Sequence, residues 1–448
     1  MYTASTNLIS GAQEKDRGGK IETTSKKFIA ALKLSGFVGL SLGSTLLAFS
    51  SPLLKIIIGN NDIDPEVFLA ALKYVRIRAI GMPAAAIIGT SQAACLGMQD
   101  IKSPLYVLLA AAIVNFLGDV CFVGSPNRLI GGTAGAALAT VASQYAAVAF
   151  FTRWLCKDAA TDHDKDKDLK NPRFFFPITL KKSVKKVSSE KHQTPAAKGF
   201  LCGKFRARDF LQFPSREEVS DFVPYIVPVT STQIGRVSSY VSMSHVISST
   251  LGTTSMAAQQ IIISVWNCLY PVGESLSSTA QSFVPPIMEK PMDQKARAKV
   301  LLKTLRNFWK TAIIFGSGLF VAVSCIPLLN PIFTSDSVVT SSVNSIVPLL
   351  LIIFSTLGIF TSSEGMLLGQ KDLSFLGNSY AAFFFIVPYF MLRVKRSALS
   401  SGGANMVNLR SVWTVFTCYQ IFRTFMWVAR ALYLQRRIYN GGGKEEQS

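Results

Sequence analysis

The sequence predicts an all-α, polytopic membrane protein built as two pseudo-symmetric helical lobes. Of its 448 residues, 49% are hydrophobic and only 16% charged, against roughly 25% charged residues in a soluble domain. The apolar residues fall in long runs parted by short polar loops, the pattern of helices that cross a bilayer. The third observation is an internal repeat. Ser51–Asp62 (SPLLKIIIGNND) matches Ile326–Ser337 (IPLLNPIFTSDS) at an offset of 275 residues. Cys95–Asp100 matches Leu368–Asp372 at 272, and Thr3–Ile9 matches Thr279–Pro285 at 276. Each match is short, but the nearly constant offset makes the chain two homologous halves, as transporters often are.

Ten spans follow from the apolar runs. Phe28–Ile58 starts after Lys15, Arg17, Lys20, Lys26 and Lys27 and stops at the acidic NNDIDPE of Asn60–Glu66. Phe68–Gly97 leads to Lys102; Pro104–Val123 and Ala134–Leu155 complete the first lobe. Beyond a linker come Phe222–Leu251 and Thr254–Ile287, then a loop with Lys290, Lys295, Arg297, Lys299 and Lys303. Phe308–Phe333 ends at Thr334–Thr340, which has no Lys or Arg, and Val343–Gly369 ends at Lys371. Ser374–Leu392 and Val412–Leu434 close the series, with Arg436 and Arg437 after it. Because basic residues crowd alternate loops, the linker and both tails face the cytosol or its equivalent. Arg393, Lys395 and Arg396 break that alternation.

The organisation expected is a first lobe over 1–155, a linker over 156–221, a six-span second lobe over 222–434 and a polar tail over 435–448. The linker is basic and reads as a solvated, disordered loop. Lys170–Arg208 carries eleven Lys and Arg against the single Glu190, so it could also touch anionic lipid headgroups. The net charge of +20 sits between apolar runs rather than along one exposed face, which argues against nucleic acid. The seven cysteines show no paired spacing and read as small packing residues, without a disulfide framework or metal site. The repeat also implies a gap. The second half opens with two spans before Val284, whereas the first half holds only their tail, Tyr2–Ala12, so two further spans are expected ahead of Met1.

Polar residues inside the apolar runs are the candidate functional residues. Asn115 and Asp119 lie four apart and so share one helix face. A carboxylate at membrane depth points to an ion or proton pathway, although Asp119 could be a solvated acid near the helix end and Asn115 an interhelical hydrogen bond. Glu274 follows Pro271, which frees the carbonyl of Asn267 and bends the helix. It reads either as a substrate or proton site or as a structural acid paired with Arg236 or Arg423. Arg78 reads as a buried partner of an acid within its lobe, Glu364 as a solvated helix end, and Arg430 as a snorkelling side chain. No zinc-like spacing, phosphate loop or nucleophile elbow occurs, so no catalytic residues, metal or cofactor are expected, and the protein does not read as an enzyme.

Several stretches carry a family resemblance. Tyr74–Leu105 (YVRIRAIGMPAAAIIGTSQAACLGMQDIKSPL) resembles the fourth helix and following loop of the MATE (multidrug and toxic compound extrusion) carriers. NFLGDV with GGTAGAALATVASQY (Gly131–Tyr145) resembles their fifth and sixth helices, Met256–Phe283 the eighth, and Glu364–Leu373 the end of the tenth. The pattern is most similar to the plant plastid-envelope branch of enhanced-disease-susceptibility type. The resemblance implies twelve spans, about ten of them present here, and a monomeric antiporter with alternating access between its lobes. Such a carrier exports a small organic anion or amphipathic compound in exchange for H⁺ or Na⁺, from a plastid envelope. It also implies a first-lobe cation site of Asn115, Asp119 and Thr140, completed by an acid on the helix expected before Met1. The alternatives are a lipid or glycolipid flippase of the same superfamily, which needs a cationic cavity, and a non-transporting scaffold.

Overall fold

The computed structural model describes residues 2–16, 22–58, 65–127, 130–156, 197–202, 204, 212–400 and 408–445. These residues form fourteen helices and no strand. In chain order they are α1 (Tyr2–Asp16), α2 (Glu22–Ile58), α3 (Pro65–Ile80), α4 (Met82–Gly97), α5 (Lys102–Val123), α6 (Gly132–Cys156), α7 (Arg216–Ser220) and α8 (Val223–Thr250). There follow α9 (Gly252–Glu289), α10 (Gln294–Ser324), α11 (Ile326–Phe333), α12 (Ser337–Gly369), α13 (Leu373–Ser400) and α14 (Leu409–Glu445). The chain divides into two compact units. Unit 1 holds Met1–Ser5 and Gly19–Val219, and unit 2 holds Thr6–Gly18 and Ser220–Ser448.

All ten expected spans are helical. The second is broken: α3 and α4 meet at a bend of 50°, with Gly81 at the break and Pro83 just inside α4. Six helices, α2, α5, α6, α10, α12 and α13, are long and apolar enough to cross a membrane, and the bent pair makes a seventh. The others, α8, α9 and α14, have 28, 38 and 37 residues, so at 1.5 Å per residue each exceeds the roughly 30 Å hydrocarbon layer. Their hydropathy is lowered by polar groups turned into unit 2. Thr232, Ser239, Gln259, Ser277, Gln281, Thr417, Gln420 and Arg423 are buried there, while Val227, Val237, Val241, Phe422 and Phe425 are exposed. Polar inside and apolar outside is the arrangement a bilayer selects. The bend expected at Pro271 does not interrupt α9, which runs through it to Glu289.

The repeat is visible in the backbone of each unit. At the end of α4, Met98, Gln99 and Asp100 donate their N–H groups to the carbonyls of Ala94, Leu96 and Cys95 at 3.0, 2.9 and 2.8 Å. At the end of α12, Gln370, Lys371 and Asp372 do the same to Met366, Leu368 and Leu367 at 3.0, 3.1 and 3.0 Å. Every atom pair is shifted by 272 residues. Both ends close through a left-handed residue that is not glycine, Gln99 (φ +59°) and Lys371 (φ +62°), the C′ position of a Schellman-type cap. A second equivalence lies upstream. α2 leaves helical geometry at Phe49 (φ −108°, ψ 15°) ahead of Pro52, and α10 stops at Ser324 with Pro327 starting α11. A proline ring meets the carbonyl four residues back, which breaks the helix there in both halves.

The two cap aspartates are then used differently. Asp100 Oδ1 accepts from the backbone N–H groups of Lys102 (3.0 Å) and Ser103 (3.1 Å), and Oδ2 from the Ser103 hydroxyl (2.7 Å) and Ala197 N–H (2.9 Å). Asp372 instead receives Arg430, Nε to Oδ2 at 2.7 Å and Nη2 to Oδ1 at 3.0 Å. Arg430 therefore makes a forked ion pair and does not simply snorkel.

Ala197 belongs to the linker, and its end is folded. Gly199 and Leu201 donate to the carbonyls of Trp154 and Leu155, each at 3.0 Å, and Ala197 and Leu201 are buried. The lipid contact expected of Lys170–Arg208 falls mostly on 170–196, 203 and 205–208, outside the described residues. All seven cysteines are free; Cys95 is buried, Cys156 and Cys202 are half-buried, and Cys121, Cys268, Cys325 and Cys418 are exposed, so a packing role does not extend to these last four.

Unit 2 is held together by close helix crossings. A Cβ on Gly365 of α12 would lie 2.5 Å from the Ser277 carbonyl oxygen on α9, and one on Gly235 of α8 would lie 2.5 Å from the Tyr380 carbonyl oxygen on α13. Without a hydrophobic drive between helices in lipid, such small residues let dispersion contacts and hydrogen bonds form. Thr361 Oγ1 accordingly reaches Gly273 O across the α9–α12 seam at 2.7 Å.

Candidate functional site

Unit 1 brings together part of the expected first-lobe site. Gly118 on α5 and Gly135 on α6 admit a close crossing: added Cβ atoms would meet Ala139 Cβ at 2.8 Å and the Phe122 carbonyl carbon at 2.7 Å. That crossing carries α6 to the face of α5 that bears Asn115 and Asp119. Asn115 Nδ2 donates to Asp119 Oδ2 at 3.0 Å, and the Ser143 hydroxyl lies 3.3 Å from Asn115 Oδ1. Ser143 also donates to the Thr140 carbonyl at 2.8 Å. The Thr140 hydroxyl turns back to Ala136 O at 2.9 Å and does not join the amide–carboxylate pair.

Sequence reading missed Ser143. Its signal was its place three residues beyond Thr140, on the same turn-to-turn face. Asn115 and Asp119 are half-buried and Ser143 is buried. The three side chains offer a carboxylate, an amide oxygen and a hydroxyl within one helix crossing. Hard oxygen donors of this kind suit a proton or an alkali cation rather than a transition metal. Among the described residues no group of three or more His, Cys, Asp and Glu could hold a metal ion.

Arg78 does not find the acid expected of it. Its Nη1 is buried without a hydrogen-bond partner, and no ion pair to it occurs among the described residues.

Unit 2 holds a second polar cluster, and its centre is Glu364. This residue is only 1% exposed, which corrects the expectation of a solvated helix end. α12 continues five residues past it to Gly369, and the turn containing Glu364 is enclosed by α8, α13 and α14. Arg236 Nη2 from α8 forms an ion pair with Glu364 Oε2, while the Tyr380 hydroxyl from α13 donates to Oε1 at 2.7 Å. Arg236 Nε also reaches the Tyr380 oxygen at 3.1 Å. Arg423 from α14 donates to the oxygens of Tyr380 (3.3 Å) and Tyr419 (3.1 Å), and its guanidinium lies 3.9 Å over the Phe360 ring. A buried guanidinium surrounded by aromatic faces keeps much of its electrostatic stabilisation through cation–π contact.

Glu274 stands at the margin of this cluster, on α9. It is half-buried, its Oε2 is buried without a hydrogen-bond partner, and it lies in the field of Arg236 and Glu364. Neither Arg236 nor Arg423 forms an ion pair with it among the described residues. Arg236 is paired with Glu364, so it and Arg423 reach Glu274 through space and not by a direct ion pair. The result is one satisfied carboxylate at the centre and one incompletely bonded carboxylate beside it.

Comparison with known proteins follows the same lines. Residues 18–121 match the MatE family model. The chain is 27% identical over 381 residues to Protein DETOXIFICATION 47, chloroplastic, of Arabidopsis thaliana, covering 84% of this chain and 57% of that protein. It is 23% identical over 391 residues to Protein DETOXIFICATION 44, chloroplastic, of the same plant, covering 84% and 62%. It thus spans about three-fifths of the length of these curated relatives. Among solved structures, the eukaryotic MATE transporter AtDTX14 superposes with a TM-score of 0.68 at 15% identity, over 98% of this chain and 86% of that one.

Proposed function

We propose that this chain, a multi-pass membrane protein with the fold of MATE transporters, serves as a secondary active transporter. It exports a small organic anion or amphipathic compound in exchange for H⁺ or Na⁺ by alternating access of its two lobes. The observation that carries this reading is the Asn115–Asp119–Ser143 cluster, a carboxylate held at the crossing of two apolar helices. Such a group is expensive in lipid and is kept where an ion must bind and leave. In the state seen here the amide nitrogen of Asn115 occupies Asp119 Oδ2; a proton or cation arriving at Asp119 displaces that donor, which ties occupancy to the α5–α6 crossing.

Glu274 supplies a second proton site, since a carboxylate oxygen without a donor gains most from protonation. Plastid location is part of the same reading, supported by the chloroplastic relatives. A flippase is the weaker reading because Arg236, one of the cationic groups it would need, is already paired with Glu364, although Arg78 keeps an Nη1 without a hydrogen-bond partner.

The test is gradient-driven flux in proteoliposomes made with the full-length protein, with Asp119→Asn and Glu274→Gln beside wild type. Loss of coupled flux in Asp119→Asn, with folding unchanged, is the expected result. Flux that stays coupled in both variants would sink the site assignment.

A further inference from the structure

We propose that the groove between α8 and α13 binds one anionic phospholipid, with its acyl chains along the groove and its phosphate at the His245–Lys395 end. The groove has a volume of about 850 Å³ and lies wholly within unit 2. Val237 and Val241 of α8 and Phe384, Phe385 and Tyr389 of α13 form its walls, and all five are exposed. Two apolar walls of extended length match acyl chains. On their own they would match any lipid, so the end of the groove decides the occupant.

That end is basic. His245 closes the groove on α8, and Lys395 Nζ on α13 sits 3.0 Å from its Nε2. Arg393 and Arg396 flank Lys395 and are exposed. No carboxylate on the two helices or their following turns balances them: residues 222–273 and 373–444 contain no Asp or Glu. Elsewhere in unit 2, Asp336 is spent as a cap, accepting from Val338 and Val339 N–H at 2.8 and 3.3 Å. The same three cations break the alternation of loop charge along the sequence. A fixed anion from the lipid leaflet gives them a counter-charge that α8, α13 and their following turns do not supply. Phosphate is well placed to take it, since a lysine ammonium, two guanidinium groups and an imidazole are all donors to phosphate oxygen. A zwitterionic headgroup brings its own positive charge and gains far less.

Native mass spectrometry of the purified full chain, supplied with equal phosphatidylglycerol and phosphatidylcholine, tests the proposal. The wild type should retain one phosphatidylglycerol in preference to phosphatidylcholine. At about fivefold per interfacial cation, Lys395→Ala with Arg396→Ala should lower phosphatidylglycerol retention roughly 25-fold and leave phosphatidylcholine unchanged. Val241→Trp, which fills the groove, should abolish retention of both. If its melting temperature shows that it does not fold, Ser238→Phe on the same wall takes its place. Equal retention of the two lipids by the wild type would overturn the proposal. So would undiminished phosphatidylglycerol in the double variant or in the groove-filling variant. A wild-type chain that appears as a dimer without lipid would instead assign the groove to a second copy.

Discussion

Removing the Glu364 carboxylate should be among the most damaging single changes in unit 2. In Glu364→Leu the guanidinium of Arg236 loses its ion pair, and the Tyr380 hydroxyl loses the acceptor at 2.7 Å. Glu364 is 1% exposed and the Arg236 side chain 18% exposed, so little water can replace the lost partner. Breaking a buried pair from one side costs about 3–5 kcal/mol, because an uncompensated charge stays behind. At about 2–4 °C per kcal/mol for a domain of this size, the melting temperature in detergent should fall by roughly 6–20 °C. Replacing both ends together, Arg236→Met with Glu364→Leu, should recover most of that loss, because a well-packed apolar pair can equal a buried ion pair. The full cycle, read by thermal unfolding of the purified protein, gives the coupling directly. A fall below about 3 °C in Glu364→Leu, or a double variant no better than the single, would refute a structural role for the pair.

Three further outcomes follow from local geometry. Gly365→Ala places a methyl group 2.5 Å from the Ser277 carbonyl oxygen and 2.7 Å from its Cα, so it should destabilise by about 1–3 kcal/mol; Gly318→Ala, with nothing within 4 Å, should be neutral or slightly stabilising in the same melt. Gln99→Gly relieves a left-handed residue and should stabilise by about 1 kcal/mol, whereas Lys371→Gly should gain less, because Lys371 also pairs with Glu289 at 3.4 Å; equal gains would contradict the role given to that bridge. Burial pushes the Glu218 carboxyl up, but the Ser215 N–H and Lys33 outweigh it and hold the group below the usual carboxylate range. A depressed folded value means stability that is present above the unfolded value of about 4.3 and is lost as pH falls through the folded one. Glu218→Gln should therefore flatten the acid limb of the unit 1 melting curve, and an unchanged limb would rule out that linkage.

How much of this was legible in the sequence depended on whether the signal was local. The spans were, since an apolar run of about 20 residues has one solution in lipid. Even α8, α9 and α14, diluted by Ser, Thr and Gln, were found because their apolar residues still form long runs bounded by polar loops. The Asn115–Asp119 pair was legible for the same reason, being four residues apart on one helix. Ser143 was not, because it reaches Asn115 only through the Gly118–Gly135 crossing, a contact 28 residues away in sequence. Glu364 was misread for a related reason. Its nearness to the LGQKD turn suggested solvent, but enclosure of that turn depends on residues 128 positions upstream and 59 downstream, Arg236 and Arg423.

The repeat bears on how the two polar clusters should be understood. The halves keep the same cap at α4 and α12, down to the left-handed residue, and the same proline break at α2 and α10–α11. Those features answer backbone demands that any helix in this register must meet. The side chains that meet the membrane problem diverge. Where unit 2 pairs its cap aspartate with Arg430, unit 1 surrounds its own with neutral donors, one of them a linker amide. Where unit 2 buries Arg236, Glu364 and Arg423 in one network, unit 1 sets the Asp119 carboxylate against the Asn115 amide, whose own oxygen takes the Ser143 hydroxyl. A networked acid is costly to discharge, because its arginine would be left unpaired; an acid held by neutral donors loses only hydrogen bonds when it takes up a proton. The asymmetry therefore supports the proposed use of Asp119 as the carboxylate that takes up and releases a coupling ion, and it fits Glu364 as the fixed charge around which unit 2 is packed.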